Sequence, residues 1–190
     1  MINDGLQWLP EVFPLGFTVT FARALAIDDM VTRMGGDPSS LSPLTRVHAE
    51  KLELENRDAG PVVRFGEANN WAFAVESWGA VGSRSDVICR VSISTEAVAA
   101  TVTASATKSL TYAKNGEIFC RFDADVPQFR KGTHSDVLLP HMERAGLMSL
   151  ETEDVNTRLA MLAVAEAAFD LTLPRNLVAR GELVGTRLAG

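Results

Sequence analysis

Residues 16–36 read GFTVTFARALAIDDMVTRMGG, and this stretch decides the fold class. Phe17, Val19 and Phe21 alternate with Thr18, Thr20 and Ala22, the period-two pattern of a strand whose two faces meet different surroundings. The alternation predicts a strand over about residues 17–22. A helix is expected directly behind it, over about 27–34. Asp28 and Asp29 would occupy its first turn, where carboxylates suit the positive end of the helix dipole. Arg33 falls in the last turn, and Gly35 and Gly36 supply a left-handed stop.

Working outward, two further strands are expected at 62–65 and 71–76, joined by the hairpin-like connection GEANN. Trp71, Phe73 and Val75 form one face of the second, matching the bulky face of the first strand, so these faces should share a core. Ala72, Ala74 and Glu76 lie opposite, where small residues would let a helix or a second layer approach closely. A short helix follows at 85–91 with Ser85 as its N-cap. Strands are then expected at about 95–103, 109–113 and 117–122. The last two meet at Asn115-Gly116, both tolerant of the positive φ that a type I′ turn requires.

The remainder reads as helical. Ser135 or Asp136 can open a helix whose Pro140 must lie near its start, and Gly146 followed by Leu147 can close it. A longer helix is expected over about 154–169, with Glu151, Glu153 and Asp154 at its N-terminus. Its stripe of Val155, Leu159, Leu162, Glu166 and Phe169 is apolar except at Glu166. Residues 174–190 resemble a short element and a tail. Residues 1–15 form a lead-in broken by Pro10 and Pro14, with Trp8 and Leu9 as an apolar plug. The segment 37–60, which contains HAEKLELENRDAG, is compatible with a loop, a weak helix or an excursion. Hairpin-joined strands imply a mostly antiparallel sheet. With short helices and a C-terminal helical segment, the expectation is a single α+β domain.

Composition bounds the function classes. The 190 residues suit one domain able to bury roughly 70% of its unfolded surface, so neither a disulfide nor a metal is needed for folding. With 18 Lys and Arg against 24 Asp and Glu, the net charge is −6. That balance opposes non-specific nucleic-acid binding, which needs cations to displace counterions from phosphates, and adhesion to anionic membranes. No apolar run approaches the ~18 residues of a membrane span. The opening MINDGLQWLP lacks a basic stretch followed by an apolar one, so no secretory leader is expected there. Cys89 and Cys120 belong to no C-x-x-C pair and read as reduced thiols in a cytoplasmic protein.

Motifs that carry chemistry are sparse. His48, His134 and His141 show no H-E-x-x-H spacing and no Cys/His cluster, so neither a metal nor any other cofactor is expected. RKGTHSD at 130–136 has its lysine before the glycine, the wrong order for a phosphate loop, and reads as a turn and helix cap. No G-x-S-x-G elbow is present. Cys120 alternates with Ile118 and Phe122, which argues for a buried, inert thiol. The most suggestive polar groups are Glu76, ending an apolar strand, and Glu96, opening another, with Arg23 and Arg90 placed to face them. They read as a polar site at the strand ends or, more ordinarily, as structural ion pairs. Trp71 reads as core. Trp78 lies outside a strand interior, and tryptophan is over-represented at binding hot spots, although partial burial under a loop would account for it equally.

Several of these blocks together, namely GFTVTFAR (16–23), GGDP (35–38), WAFAVES (71–77), STEAV (94–98) and YAKNGEIF (112–119) with Phe122, resemble an uncharacterised bacterial family, a domain of unknown function. The resemblance spans about residues 8–147 and loosens through the last helices. It implies a cytosolic accessory protein and transfers no catalytic residue. The expected function is therefore a non-enzymatic protein-interaction module, of an immunity or regulatory type, with a protein partner that charge steering would make basic. The alternative is a small-molecule binder or enzyme using the small-residue face near Ala72, Ala74 and Glu76, with Arg23 as anion anchor and a pocket there. A homo-oligomeric, scaffolding role is the third reading. Arg23, Glu76, Trp78, Arg90 and Glu96 are the candidate binding residues.

Overall fold

The computed structural model describes residues 4–105, 107–148 and 155–188. Seven helices and eight strands lie along them: α1 (Leu9–Val12), β1 (Phe17–Arg23), α2 (Ile27–Met34), β2 (Ser42–Thr45), α3 (Arg46–Glu55), β3 (Val62–Ala68), β4 (Trp71–Glu76), α4 (Ser85–Val91), β5 (Glu96–Val102), β6 (Lys108–Lys114), β7 (Glu117–Asp123), α5 (Leu139–Arg144), α6 (Thr157–Phe169), α7 (Arg175–Arg180) and β8 (Glu182–Arg187). The strands form one sheet in the order β2-β8-β3-β4-β1-β5-β6-β7, and every pairing is antiparallel. The fold class is α+β. No described helix is long and apolar enough to cross a membrane.

Period-two alternation sorts the central strands onto two cores. Phe17, Val19 and Phe21 of β1 join Trp71, Phe73 and Val75 of β4 in a core completed by Met161, Leu162, Ala165 and Phe169 of α6. Phe169 reaches both Trp71, at 6.4 Å between ring centroids, and Tyr112, at 4.7 Å. On the other face Ala22, Ala72, Ala74, Ala97 and Ala99 meet Met30, Val31 and Met34 of α2 and Val87, Ile88 and Val91 of α4. The shared core and the close helix approach are both as expected. A row of alanines leaves the space that the two short helices fill.

The β3–β4 and β6–β7 hairpins both use type I′ turns. Asn115 and Gly116 have φ of 51° and 85°, as the Asn-Gly signal requires. Asn69 and Asn70, with φ of 48° and 65°, make the other. GEANN is thus not a five-residue loop: Gly66, Glu67 and Ala68 belong to β3, and Ala68 pairs with Trp71.

Two expected caps and one helix start are corrected. Ser85 lies inside α4, with Arg84 at the N-cap position, because its hydroxyl accepts a hydrogen bond from Arg121 Nη1 at 3.0 Å. Neither Ser135 nor Asp136 caps α5, which begins at Leu139; Asp136 instead holds Arg130 Nε at 2.7 Å. Asn156 caps α6, accepting from Leu159 N at 3.2 Å, so that helix starts later than expected. Glu151, Glu153 and Asp154 lie outside the described residues. At the far end of α5 the stop is as expected: Gly146 has φ of 79°, and Leu147 N bonds Met142 O at 3.0 Å. Glu166, the polar position in the α6 stripe, accepts from the backbone N–H of Leu6 and from Gln7 Nε2, which ties the lead-in to the helix.

The ambiguous stretch 37–60 resolves into a capped turn (Pro38–Ser40), β2, α3 and a second turn (Arg57–Ala59). Thr45 caps α3 through Oγ1, which accepts from His48 N at 3.2 Å. The helix closes on a small core of Leu44, Ala49 and Val62. Its C-terminal carbonyls are satisfied from outside: Arg187 of β8 donates to Leu52 O at 2.6 Å and to Asn56 O at 2.9 Å. The supposed tail 174–190 holds α7 and β8, and β8 lies between β2 and β3.

Candidate functional site

The five candidate residues do not converge. In the β1–β4 register Thr18 faces Glu76 and Arg23 faces Trp71, so Arg23 and Glu76 occupy opposite ends of the sheet, about 17 Å apart at 3.4 Å per residue. Arg23 pairs with Glu96, Nε to Oε1 at 3.0 Å, and its guanidinium carbon stands 4.7 Å from the Trp71 ring centroid. The Tyr112 hydroxyl donates to the second Glu96 oxygen at 2.9 Å. Burial first, then that bond to a carboxylate, push the Tyr112 pKa well up. Arg90 reaches neither glutamate. It binds Asp86 Oδ2 at 3.2 Å and Arg33 O at 3.0 Å, joining α4 to α2. At the Arg23 end a cavity of about 470 Å³ is lined by residues that include Leu25, Glu67, Asn69, Trp71 and Ala72. The face carrying Ala72 and Ala74 is itself covered by α2 and α4.

Glu76 is fully buried, and both of its oxygens are occupied. Val81 N donates to Oε2 and Gly82 N to Oε1, each at 2.8 Å. The carboxylate therefore pins the turn Val81–Ser83 that leads into α4. Desolvation outweighs those two bonds and raises its pKa to about 7, with the Glu53 charge adding to the rise. The turn has no room for a side chain at residue 82: a Cβ there would fall 1.9 Å from Thr20 Oγ1. Arg121 fixes the same turn, donating to Ser83 O.

Beside that turn, Trp78 stands between two clefts. One, of about 120 Å³, is lined by Phe13, Pro14, Leu15, Gly16, Arg46, Glu50, Ser77 and Trp78. The other, of about 300 Å³, includes Glu53, Arg57, Pro61, Trp78 and Gly79. Arg46, Glu50, Glu53 and Arg57 follow a helical i, i+4, i+7, i+11 progression, so α3 and the turn after it present one charged face to both clefts. Trp78 is 36% exposed and Leu15 65% exposed, an aromatic and an aliphatic side chain at the lip of a charged groove.

Close to the smaller cleft lies the group that reading the sequence passed over: Arg64 pairs with Val75, one same-face step from Ser77 in the cleft wall. Arg64 sits within β3 and is 1% exposed, yet Nη1 and Nη2 have no hydrogen-bond partner among the described residues. Burial and then the neighbouring Arg46 charge push its pKa down to about 10, with Glu50 opposing them. Arg46 bonds Glu50 through Nη1 at 2.8 Å, while its Nε is buried and also lacks a partner. Space for the Arg64 stem comes from Gly185 of β8, where a Cβ would lie 3.3 Å from Arg64 Cγ and 2.8 Å from Leu44 Cδ1. An arginine flanked by Val62, Val63 and Phe65 was the available signal: a charged residue inside an otherwise apolar run.

Among the described residues no group of three or more His, Cys, Asp and Glu is placed to hold a metal ion. Cys120 is buried, and burial pushes its thiol pKa up to about 11, in keeping with an inert role. His134 stacks on Phe119 at 4.3 Å between ring centroids.

No curated protein and no solved structure matches the chain. A family model described as a family of unknown function, DUF6461, matches residues 6–179, and the chain belongs to that family.

Proposed function

We propose that this protein is a non-enzymatic binding module of an immunity or regulatory type, and that it meets a protein partner at the Trp78 groove. The observation that carries the reading is Trp78 itself. It is 36% exposed while the turn following it is anchored by Glu76, so a large aromatic surface is presented on a rigid support. Pre-ordered aromatic anchors are the usual centres of interface energy. The net charge of −6 favours a partner with a basic surface, recruited by long-range attraction.

The test is a tagged pull-down at low salt from cells of the source organism, followed by titration of the purified pair. One stoichiometric partner, lost at high salt and bound at least about tenfold more weakly by Trp78→Ala, is expected from a tryptophan hot spot. A partner whose affinity ignores Trp78→Ala would remove the groove from the account, and a clean failure to capture any partner would remove the module.

A second reading keeps one observation in its favour. The 470 Å³ cavity at the Arg23–Trp71 end has the size of an ordinary small-molecule site, and Arg23 beside it is a cation. A metabolite screen by thermal shift, with Arg23→Ala as control, tests it. Glu76 has no part in this version, because both its oxygens are already bonded.

A further inference from the structure

We propose that the cleft between α3 and the loop of residues 13–16 binds a small oxyanion, a carboxylate or a phosphate group, through Arg46 and the buried Arg64. Three buried N–H-bearing atoms close to it have no partner among the described residues: Arg64 Nη1 and Nη2, and Arg46 Nε. Buried guanidinium nitrogens ordinarily have partners, since an unpaired buried charge is among the least favourable arrangements a fold can hold. Arg46 has a carboxylate, Glu50, but uses only Nη1 to reach it. Arg46 and Glu50 both bear on Arg64, with opposite signs. Two guanidiniums against one carboxylate leave an excess of one positive charge, which an oxyanion would neutralise.

The cleft suits that ligand. At about 120 Å³ it admits an anionic head group and is well below the few hundred Å³ that a drug-sized molecule requires. Arg46 and Glu50 line it, with Ser77 as a neutral hydroxyl and Trp78, Leu15 and Phe13 as apolar walls. The Arg46 guanidinium carbon lies 5.7 Å from the Phe13 ring centroid, which orients the arginine side chain. Guanidinium groups recognise carboxylate and phosphate oxygens through paired N–H donors. The proposal goes beyond the docking of a protein partner, since the isolated protein in buffer is enough to test it.

The experiment compares the melting temperature of the purified protein in sodium phosphate, sodium acetate and sodium chloride at matched ionic strength, followed by calorimetric titration of the anion that acts. A rise in phosphate alone that Arg64→Met abolishes identifies a phosphate site, since phosphate also stabilises folded proteins by exclusion, and a rise in acetate alone a carboxylate site. Equal melting in all three overturns the proposal. Arg64→Met is expected to melt higher than wild type in chloride and to show no shift with either anion; a shift equal to that of wild type overturns the proposal. Should Arg64→Met fail to fold, Arg46→Met provides the second arm. Loss of charge-assisted bonds should weaken binding of the same anion at least about tenfold, and an unchanged affinity overturns the proposal.

Discussion

Glu76 and Arg64 sit on neighbouring strands, one pair apart in register, with Val63 opposite Glu76 and Arg64 opposite Val75. Both are buried to within 1% of complete exclusion, and strand alternation sends them to opposite faces of the sheet. Their surroundings differ completely. Glu76 folds its own following turn around itself and has a backbone N–H on each oxygen. Arg64 lies beside β8, which comes from the far end of the chain, and its terminal nitrogens have no partner among the described residues. A buried charge that a local turn satisfies is a structural device. One that distant elements enclose without satisfying points to something the fold is built to receive.

The largest effect should come from the satisfied side. Gly82→Ala drives a methyl into Thr20 and should destabilise by about 3 kcal/mol, read by denaturant unfolding. A near-neutral result would mean that the turn is loose and that Glu76 holds nothing.

The pH dependence sharpens the same side. The Glu76 pKa is raised to about 7 in the folded state, so the unfolded chain loses its proton first. Between the ordinary glutamate range near pH 4.5 and pH 7, the unfolded state binds fewer protons than the native state. Stability from this group therefore falls as pH rises through that window and is flat above it. The full span is about 3 kcal/mol at 1.36 kcal/mol per pKa unit. Glu76→Gln should cost about 1–3 kcal/mol near pH 4, because its amide turns N–H groups toward a backbone donor, and progressively less as the pH rises to 7. It should also flatten that slope. Stability profiles of the two proteins from pH 4 to 8 decide this, and a wild-type profile with no fall in the window would show that the carboxyl ionises normally.

On the unsatisfied side the sign reverses. Arg64→Met should stabilise the anion-free protein by about 2 kcal/mol, since an apolar side chain of similar volume replaces an unpaired buried charge. A loss of stability would place Arg64 with Glu76 as a structural residue and dissolve the contrast. The smallest effect is expected at the far end of the sheet. Arg23→Ala removes a half-exposed ion pair and a contact with Trp71, about 1 kcal/mol together, measurable as a modest drop in melting temperature.

The legibility of the chain follows the same division. The Phe17, Val19, Phe21 alternation, the alanine face of β4 and the Asn115-Gly116 turn are local signals, each carried by residues adjacent in sequence, and each is realised where it was expected. The β3–β4 turn was placed but read too long, because Gly66 looks like a loop residue until its strand partner Phe73 is known. α3 has weak amphipathic character, and Arg187 secures its C-terminus from about 130 residues away. β8 contains a glycine and has no period of its own; it becomes a strand by filling the space between β2 and β3. Among candidate residues, the sequence offers Arg23 and Arg90 to Glu76 and Glu96 without choosing the pairs, and of these only Arg23–Glu96 forms. Arg64 was missed because its burial depends on elements contributed by 42–55 and 182–187.

By itself the sequence determined the α+β class, the two faces of the central strands, the dominant hairpin and an acidic chain, because periodicity, turn chemistry and charge are properties of neighbouring residues. Only the tertiary structure decided which buried charges have partners. A hydrogen bond between residues far apart in sequence exists or fails on distances of a few ångströms, and those distances are set by the packing of α3 and β8 onto the sheet.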